Sequence, residues 1–296
     1  MSSAVIQSLP EGAAHAARLA RKVGAPFHSI NVHRFPDGEL RVTVGPVAST
    51  TILYVPLDHP NDKLVALLLA AEALRRGGAV RVVLIAPYLC YMRQDKAFRE
   101  GEAISQKAIG KLIGATVDRV VTVDAHLHRT PDIGAVFPGI EAEDLSAMPA
   151  IANALHGIDS NTVIVGPDEE SRGWVSDLAA RLKLAHAVGR KTRAGDRSVQ
   201  IALPDPSLFK DRPALLVDDI VSSGGTLVVA AKALRAAGAS AIDAVITHAL
   251  FPAEMTRDFQ AAGIRSVRST SSVPHPSNAI PLDDVLAAAL RREIAA

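Results

Sequence analysis

The chain carries, at residues 215–226, the sequence Leu215-Leu216-Val217-Asp218-Asp219-Ile220-Val221-Ser222-Ser223-Gly224-Gly225-Thr226. An apolar strand runs into two aspartates, a short Ser-Gly turn follows, and an apolar helix then begins. In open parallel sheets, ligands bind at the carboxyl ends of strands, where such turns lie. Glycines let backbone N–H groups approach a phosphate closely, and a helix N-terminus adds partial positive charge. The stretch therefore predicts a phosphate site in an α/β fold.

Two kinds of polar side chain flank this turn. The hydroxyls of Ser222, Ser223 and Thr226 are suited to donate to phosphate oxygens. The carboxylates of Asp218 and Asp219 would repel a phosphate, so we expect them to accept from sugar hydroxyls or to hold a metal. The alternative is an ordinary strand-turn-helix corner with a capping residue, and the paired acids make it the weaker interpretation.

The rest of the chain repeats this alternation of short β-branched runs with Ala- and Leu-rich helical stretches, which is typical of parallel βαβ units. The predicted strands are Thr51 to Pro56, Arg81 to Ala86, Arg119 to Asp124, Thr162 to Val165, Leu184 to Val188, Pro213 to Val217 and Ala241 to His248. Helices are predicted at Asp62 to Arg76, Ser105 to Gly114, Trp174 to Leu182 and Thr226 to Ala237.

The predicted elements fall into two halves. No periodic apolar pattern runs between Pro138 and Met148, which suggests a boundary there and domains at residues 1–145 and 146–296. Each half has a strand that ends in acidic residues, which indicates a weak internal duplication into two tandem open α/β domains. Phe27 to Val44 differs, because two strands around Pro36-Asp37-Gly38 predict an antiparallel hairpin.

Composition limits the kinds of partner. The 32 basic and 31 acidic residues leave a formal net charge of +1, so no global field attracts nucleic acid or an anionic membrane. The longest apolar run, Leu64 to Leu74, contains Glu72 and is too short to span a bilayer. The single cysteine, Cys90, fits a reducing compartment, and no signal-sequence pattern opens the chain. We therefore expect a cytoplasmic protein without nucleic-acid or membrane partners.

The turn at residues 217–226 resembles the fingerprint of type I phosphoribosyltransferases and of the phosphoribosyl diphosphate (PRPP) synthases. Four further segments resemble parts of the synthases, in the order of that family from Phe35 to Pro252, and a transferase needs none of the first three. They are the adenine-binding hairpin Phe35-Pro36-Asp37-Gly38-Glu39, the nucleotide region Pro87-Tyr88 with Tyr91 and Arg93-Gln94-Asp95-Lys96 through Ser105, the metal-binding histidine segment Val123-Asp124-Ala125-His126, and the pyrophosphate-side loop Gly166-Pro167-Asp168.

A basic segment between two glycines, Gly189-Arg190-Lys191-Thr192-Arg193-Ala194-Gly195-Asp196-Arg197, follows a predicted strand. It is compatible with a solvated basic turn. It also resembles the synthases' catalytic flexible loop, in which a lysine and an arginine two residues later close over the triphosphate. Lys191 and Arg193 match that spacing. Two mobile cations would stabilise a developing phosphoryl charge and exclude water.

The resemblance implies a type I phosphoribosyltransferase-like fold and transfer of the diphosphoryl group of ATP to O1 of ribose 5-phosphate, which gives PRPP and AMP. Lys191 and Arg193 would be catalytic, and His126 with Asp168 would organise Mg²⁺. The residues implied for ATP are Phe35, Asp37, Glu39, Arg93, Gln94 and Lys96. Those implied for ribose 5-phosphate are Asp218, Asp219, Ser222, Ser223, Gly224, Gly225 and Thr226. Because the family's adenine hairpin completes a neighbour's site, a homodimer or higher homo-oligomer is also implied.

Two positions depart from the commoner family pattern. Glu169-Glu170-Ser171-Arg172-Gly173 replaces a small glycine-rich loop, and its carboxylates would repel diphosphate unless turned away, bound to metal or compensated by Arg172. Ser222 stands where many members have an aspartate and resembles the shorter archaeal-type members. Three alternatives therefore remain: a phosphoribosyltransferase that consumes PRPP, a catalytically silent regulatory subunit, and a relative acting on another sugar phosphate.

Overall fold

The computed structural model describes residues 4–194 and 198–295, which divide into two compact units. The first unit comprises residues 4–146, 272–274 and 282–295, and the second comprises the described residues of 147–271 and 275–281. The sequence-based division at residues 145 and 146 remains a prediction. Each unit contains a six-stranded parallel sheet and a separate two-stranded antiparallel arm.

The first unit alternates strands and helices along the chain. Its strands are β1 (Ala4–Ser8), β2 (Phe27–Ser29), β3 (Asn31–Arg34), β4 (Leu40–Thr43), β5 (Thr50–Tyr54), β6 (Arg81–Ala86), β7 (Arg119–Val123) and β8 (Glu141–Leu145). Its helices before residue 146 are α1 (Ala13–Val23), α2 (Pro60–Arg76) and α3 (Ser105–Gly114). The sheet order is β2-β1-β5-β6-β7-β8, and β3 pairs with β4 as an antiparallel hairpin.

The second unit repeats the arrangement. Its strands are β9 (Val163–Gly166), β10 (Ala185–Val188), β11 (Arg190–Ala194), β12 (Ser198–Ala202), β13 (Pro213–Val221), β14 (Ala241–Ala249), β15 (Ile264–Thr270) and β16 (Asn278–Ile280). Its helices are α4 (Met148–Ala154), α5 (Arg172–Leu182), α6 (Gly225–Ala236) and α7 (Met255–Ala261). The sheet order is β10-β9-β13-β14-β15-β16, with an antiparallel arm of β11 and β12. In each sheet, counted along the chain, the order is second, first, third, fourth, fifth and sixth, and the arm follows the second strand.

This topology confirms the predicted fold class of two tandem open parallel-sheet domains with an N-terminal antiparallel hairpin. The central strands β1, β6 and β7 are buried except for Arg81 at the start of β6, as expected when helices cover both faces of a parallel sheet. The helices of the second unit pack on its sheet through an apolar core that includes Val165, Leu216, Leu227 and Phe259. That core fixes the strand ends on which the site residues lie.

The chain ends with α8 (Asp283–Ala289) and α9 (Arg291–Ala295), which pack in the first unit rather than beside the second. The anchor is Arg119 at the start of β7, whose side chain is 2% exposed. Its guanidinium donates to Glu293 Oε1 at 2.6 Å, to Ala289 O at 3.1 Å, and to Glu143. A buried arginine requires such partners, so this ion pair ties the C-terminal helices to the first sheet.

Two local differences from the sequence-based elements stand out. The segment between Pro138 and Met148, which lacks an apolar pattern, contains the edge strand β8. Strand β13 continues to Val221, four residues beyond its predicted end, because its polar residues stay paired with β14. Among the helices of the described ranges, none has the length and apolar character needed to cross a bilayer.

Candidate active site

The end of β13 presents two aspartates within a hydrogen-bonded strand. Asp218 pairs in register with Ile246 of β14, and Asp219 is buried beside it. The backbone N–H of Asp219 donates to Asp218 Oδ1 at 3.1 Å. The two aspartates are therefore adjacent at the carboxyl end of the strand, where the turn begins.

The turn after β13 depends on Gly224. This residue has φ of +71°, in the left-handed region, and it caps the N-terminus of α6. A Cβ at this position would lie 2.7 and 2.8 Å from ring carbons of Phe259, so both the backbone and the space require glycine. Gly225 differs, because the nearest atom to a Cβ there would be Ser223 Oγ at 3.9 Å. Gly224 shapes the turn, whereas Gly225 keeps the helix entrance open.

The surface around this turn suits an anion. The first N–H groups of α6 lack helical acceptors and carry the positive end of the helix dipole, and no acidic residue lies in the first turn. Ser222 and Thr226 are partly exposed and Ser223 is exposed, so their hydroxyls remain accessible to a ligand. The structure thus brings the predicted phosphate-binding hydroxyls and glycines together at one helix N-terminus.

Negative charge accumulates beside the turn. Burial raises the pKa of Asp218 well above its ordinary value, the charges of Asp219 and Asp168 raise it further, and Lys191 opposes the shift. Asp168 follows β9 in an extended conformation, and its carboxylate does not cap the short helical turn that follows. Instead, Asp168 Oδ2 lies 3.5 Å from Lys191 Nζ. The predicted metal, ribose and catalytic residues of the second unit are therefore close enough to influence each other electrostatically.

The segment after Asp168 forms a 3₁₀ turn, Glu169–Ser171, that leads into α5. Ser171 is buried and its hydroxyl donates to the carbonyl of Asp168 at 2.5 Å. Arg172 donates to both carboxylate oxygens of Glu169, at 2.9 and 2.8 Å. Arg172 therefore compensates the charge of Glu169, as the sequence suggested, and the turn offers a paired cation and anion in place of an open glycine loop.

Two glycines set the approach of the arm to this turn. Gly189 N donates to Gly166 O at 2.8 Å, and a Cβ at Gly189 would lie 2.9 Å from the carbonyl oxygen of Pro167. A Cβ at Gly166 would overlap the hydroxyl of Ser171 at 1.9 Å. Both positions therefore require the smallest residue, and their close contact brings the first residues of β11 next to Asp168.

The basic segment forms an antiparallel arm. Lys191 pairs in register with Ile201 and Arg193 with Val199. Lys191 is partly exposed, with its ammonium directed to Asp168. The side chain of Arg193 and the whole of residues 195–197 lie outside the described part of the chain. The structure thus assigns a position to one of the two predicted catalytic cations.

In the first unit, the hairpin β3–β4 exposes its tip. Phe35 N donates to Glu39 O at 2.8 Å, and Asp37 Oδ1 accepts from Glu39 N at 3.2 Å, which closes the turn. The Phe35 ring is exposed, with the His33 ring 4.8 Å away edge-on and the Arg41 guanidinium 5.9 Å from its centroid. An aromatic face and two carboxylates are therefore presented together, as the adenine-binding prediction requires.

The nucleotide-side loop after β6 is held by an ion pair between Asp95 and Arg129. Asp95 accepts from Arg129 Nη1 at 2.8 and 3.2 Å, and its carboxylate is almost fully buried. Gln94 donates its backbone N–H to Tyr91 O, while Lys96 Nζ lies 5.1 Å from the centroid of the Phe98 ring. No sequence pattern indicates Arg129 as the partner of Asp95, because the two residues are 34 positions apart.

Arg93 is the most accessible cation of this loop. It is exposed, and among residues 4–194 and 198–295 its guanidinium has no hydrogen-bond or ion-pair partner. Within the same ranges, no hydrogen bond or ion pair joins Phe35, Asp37 or Glu39 to Arg93, Gln94 or Lys96. The hairpin tip and the Arg93 loop are thus separate groups of ligand-binding residues.

His126 lies three residues after β7, where the backbone turns sharply. Asp124 adopts φ of +40°, a strained conformation for a residue other than glycine, and its N–H donates to Leu145 O. The N–H of Ala125 donates to Asp144, which secures the turn. His126 is partly buried, with the His128 ring 6.4 Å away. Its imidazole therefore projects from a fixed turn at the carboxyl end of a central strand.

The two predicted metal ligands belong to different units, His126 to the first and Asp168 to the second. In the described part of the chain, no three His, Cys, Asp or Glu side chains are arranged to hold a metal ion unaided. Magnesium bound with phosphates, however, needs only one or two protein carboxylates and keeps several waters. Asp168 fits that requirement as a partly exposed hard oxygen ligand in a carboxylate-rich surrounding.

Cys90 does not take part. It is buried, and burial raises the pKa of its thiol to about 12, so it is uncharged at neutral pH. A buried thiol of this kind behaves as a small apolar residue.

Comparisons with known proteins agree with this geometry. The model for the N-terminal domain of ribose phosphate pyrophosphokinase matches residues 4–116, and the phosphoribosyl transferase domain model matches residues 145–281. A ribose-phosphate pyrophosphokinase of Methanopyrus kandleri is 33% identical over 92% of this chain and 93% of its own length. That of Pyrococcus abyssi is 32% identical over 87% and 89% of the two chains.

A solved structure extends the likeness to the fold. Phosphoribosylpyrophosphate synthetase from Mycobacterium smegmatis superposes with a TM-score of 0.84 over 98% of both chains, at 24% identity. Both halves of the chain thus match one family of enzymes. This chain belongs to the ribose-phosphate pyrophosphokinases.

Proposed function

We propose that this enzyme transfers the diphosphoryl group of ATP to O1 of ribose 5-phosphate, which gives PRPP and AMP. The observation that carries the proposal is the contact between Lys191 and Asp168 beside the phosphate-binding turn of the second unit. A lysine on a separate arm, next to a carboxylate and a sugar-phosphate turn, suits phosphoryl transfer to a bound sugar. A transferase that consumes PRPP would need the turn but not this arm.

The 5-phosphate of the acceptor is assigned to the turn at residues 222–226. The N-terminal N–H groups of α6 and the hydroxyls of Ser222, Ser223 and Thr226 would donate to its oxygens. Asp218 and Asp219 would accept from the ribose hydroxyls. With both ends of the sugar held, O1 is confined to a narrow range of positions, and this confinement supplies much of the rate enhancement in such reactions.

The nucleotide is assigned to the first unit. Phe35 would stack on adenine, and Asp37 and Glu39 would accept from its exocyclic amine. Arg93 and Gln94 would hold the phosphates, because an exposed guanidinium without an internal partner is available for a bidentate contact. Lys96 would add a second cation to the same loop.

Magnesium is the metal we propose, held largely by the phosphates of ATP, with Asp168 and His126 each assigned as a ligand. When bound, it would neutralise phosphate charge and orient the diphosphoryl group for in-line attack. Lys191 and Arg193 would stabilise the charge that builds on the transferring group. In the reaction, O1 forms a bond to the β-phosphorus and loses its proton, and the bond from that phosphorus to the bridging oxygen of AMP breaks.

The direct test is incubation of the purified protein with ATP, Mg²⁺ and ribose 5-phosphate, followed by measurement of AMP and PRPP. We expect both products in equal amounts, and we expect Lys191→Met to lower kcat by about 10²-fold or more with little change in ribose 5-phosphate binding. If product formed only with another sugar phosphate, the acceptor assigned in this proposal would be wrong. A lack of AMP from the wild-type protein under all these conditions would refute the proposal and favour a regulatory subunit.

We further propose a homo-oligomer in which the hairpin β3–β4 of one subunit completes the adenine site of its neighbour. Support comes from the exposed hairpin tip, which in the described chain has no hydrogen bond or ion pair with the Arg93 loop. Mixing Phe35→Ala and Lys191→Met subunits tests this arrangement. If the hairpin serves the neighbour, each mixed dimer contains one intact site and regains activity, whereas a hairpin that serves its own subunit gives no recovery.

The cellular location is proposed from Cys90 alone. Its burial as a free thiol suits the reducing cytoplasm.

A further inference from the structure

The contact between Lys191 and Asp168 joins two residues to which the proposed reaction gives different roles. In the proposed reaction, Lys191 acts on the transferring phosphoryl group and Asp168 binds the metal. Lys191 Nζ lies 3.5 Å from Asp168 Oδ2, and the two side chains are 25% and 22% exposed. The two residues thus form an ion pair with each other.

Several features build this contact into the fold. Gly189 and Gly166 touch through a backbone hydrogen bond, which sets β11 against the turn that carries Asp168. The Asp168 carboxylate does not cap its own helical turn and so faces the arm. The antiparallel pairing of Lys191 with Ile201 fixes the lysine in register on the arm.

The surroundings of Asp168 explain why a cation is needed there. Burial raises the pKa of Asp218, the charges of Asp219 and Asp168 raise it further, and Lys191 is the cation that opposes this rise. Clustered carboxylates without a counter-ion destabilise one another. In the loaded enzyme, a divalent cation at Asp168 would meet the same need.

We propose that Lys191 is the counter-ion of Asp168 in the ligand-free enzyme and that a divalent cation and Lys191 compete for this carboxylate. Arrival of the metal with its phosphates releases Lys191 toward the transferring group. The lysine thus becomes available only when the diphosphoryl donor is in place. This inference rests on the assignment of Asp168 as a metal ligand in the proposed function, and it adds the coupling between metal and lysine.

Metal binding to the ligand-free protein tests the competition without any catalysis. Mn²⁺ would be titrated into the wild type, Lys191→Met and the control Lys232→Met, and bound metal would be measured by electron paramagnetic resonance. Lys232 lies exposed on α6, so its loss removes the same charge away from Asp168. We expect Lys191→Met to bind Mn²⁺ about fivefold or more tightly than the wild type, the range typical of coupled sites, and Lys232→Met to match the wild type.

A second background isolates the carboxylate. In Asp168→Asn, the metal site loses its ligand, so adding Lys191→Met should leave Mn²⁺ binding unchanged and weak. Thermal denaturation of each variant confirms that it is folded. Equal affinity of Lys191→Met and the wild type would overturn the proposal, and so would equal tightening by Lys232→Met or the absence of Mn²⁺ binding in Lys191→Met.

Failure of this inference can be told apart from failure of the proposed function. If the wild type makes PRPP but Lys191→Met shows no gain in Mn²⁺ affinity, the reaction stands and the competition is wrong. If Mn²⁺ affinity rises as expected but no PRPP forms, the competition stands and the assigned reaction is wrong.

Discussion

Replacing Gly224 with alanine gives the sharpest test of how the phosphate turn is built. An alanine at this position would have to adopt φ of +71°, which costs a non-glycine residue about 1–2 kcal/mol. It would also lie 2.7 and 2.8 Å from Phe259, whose ring is fully buried and packs edge-on against Phe251 at 5.1 Å. Because that ring cannot swing into solvent, relief requires movement of α6 or α7, and such overpacking costs about 1–3 kcal/mol.

The two contributions together predict a loss of about 2–5 kcal/mol in the free energy of unfolding. In a protein of this size, 1 kcal/mol shifts Tm by about 2–4 °C, so a fall of roughly 4–20 °C is expected. Differential scanning calorimetry, at a fixed scan rate, measures the shift. Ribose 5-phosphate should also bind more weakly, because the N–H groups at the start of α6 are displaced.

Gly225→Ala is the matched control. Its Cβ would meet nothing closer than 3.9 Å, and alanine is favoured over glycine in a helix by about 1 kcal/mol. We expect an unchanged or higher Tm for Gly225→Ala, with a raised KM for ribose 5-phosphate because the methyl group narrows the helix entrance. A Tm for Gly224→Ala within about 2 °C of the wild type would refute the reasoning.

Three further predictions concern the C-terminal anchor and the nucleotide side. Arg119→Met should lower the free energy of unfolding, measured with denaturant, by about 3–5 kcal/mol, because it leaves the buried Glu293 carboxylate with only the longer contact to Arg81 at 3.4 Å. Adding Glu293→Leu should recover much of that loss, and equal loss in both variants would contradict the ion-pair explanation. Burial raises the pKa of Glu293, but the hydrogen bond and charge of Arg119 outweigh that effect and hold it below its ordinary value. The contribution of Glu293 to the free energy of unfolding is therefore complete above the unfolded pKa of about 4.3 and is lost as pH falls through the lower folded pKa. Glu293→Gln should accordingly weaken the fall of stability at acid pH. Phe35→Ala should raise KM for ATP about tenfold, because base stacking is lost, and leave KM for ribose 5-phosphate unchanged. Steady-state kinetics with each substrate varied in turn measures both constants. A general folding defect would change both.

The sequence carried enough information to predict the sheet-forming segments of the centre of each unit. Arg81–Ala86 and Ser105–Gly114 were predicted with the bounds that the structure has, because a short apolar run and a helical stretch are each bounded there by polar or glycine residues. The end of β13 was predicted too early. Asp218 and Asp219 read as residues beyond a strand, yet pairing with β14 keeps them in the sheet, and no local pattern reports that pairing.

The site was predictable where its residues are consecutive and less so where partners are distant. The turn at residues 222–226 can be predicted from local sequence, because its hydroxyl side chains, its glycines and the start of a helix are consecutive. Contacts such as Asp95 with Arg129, or Arg119 with Glu293, join residues 34 and 174 positions apart. Periodicity and spacing do not encode such pairs, because they arise only when separate elements pack.

The two antiparallel arms occupy the same place in their sheets, after the second strand and before the third. One arm presents the aromatic and acidic residues assigned to the nucleobase, and the other presents the lysine assigned to the phosphoryl group. Neither arm contributes a strand to a central ladder, so residues on either can change without disturbing the hydrogen bonds of the six-stranded sheets. Donor preference and chemical step are thereby open to separate variation, by natural drift or by grafting one arm from a relative while the scaffold is kept.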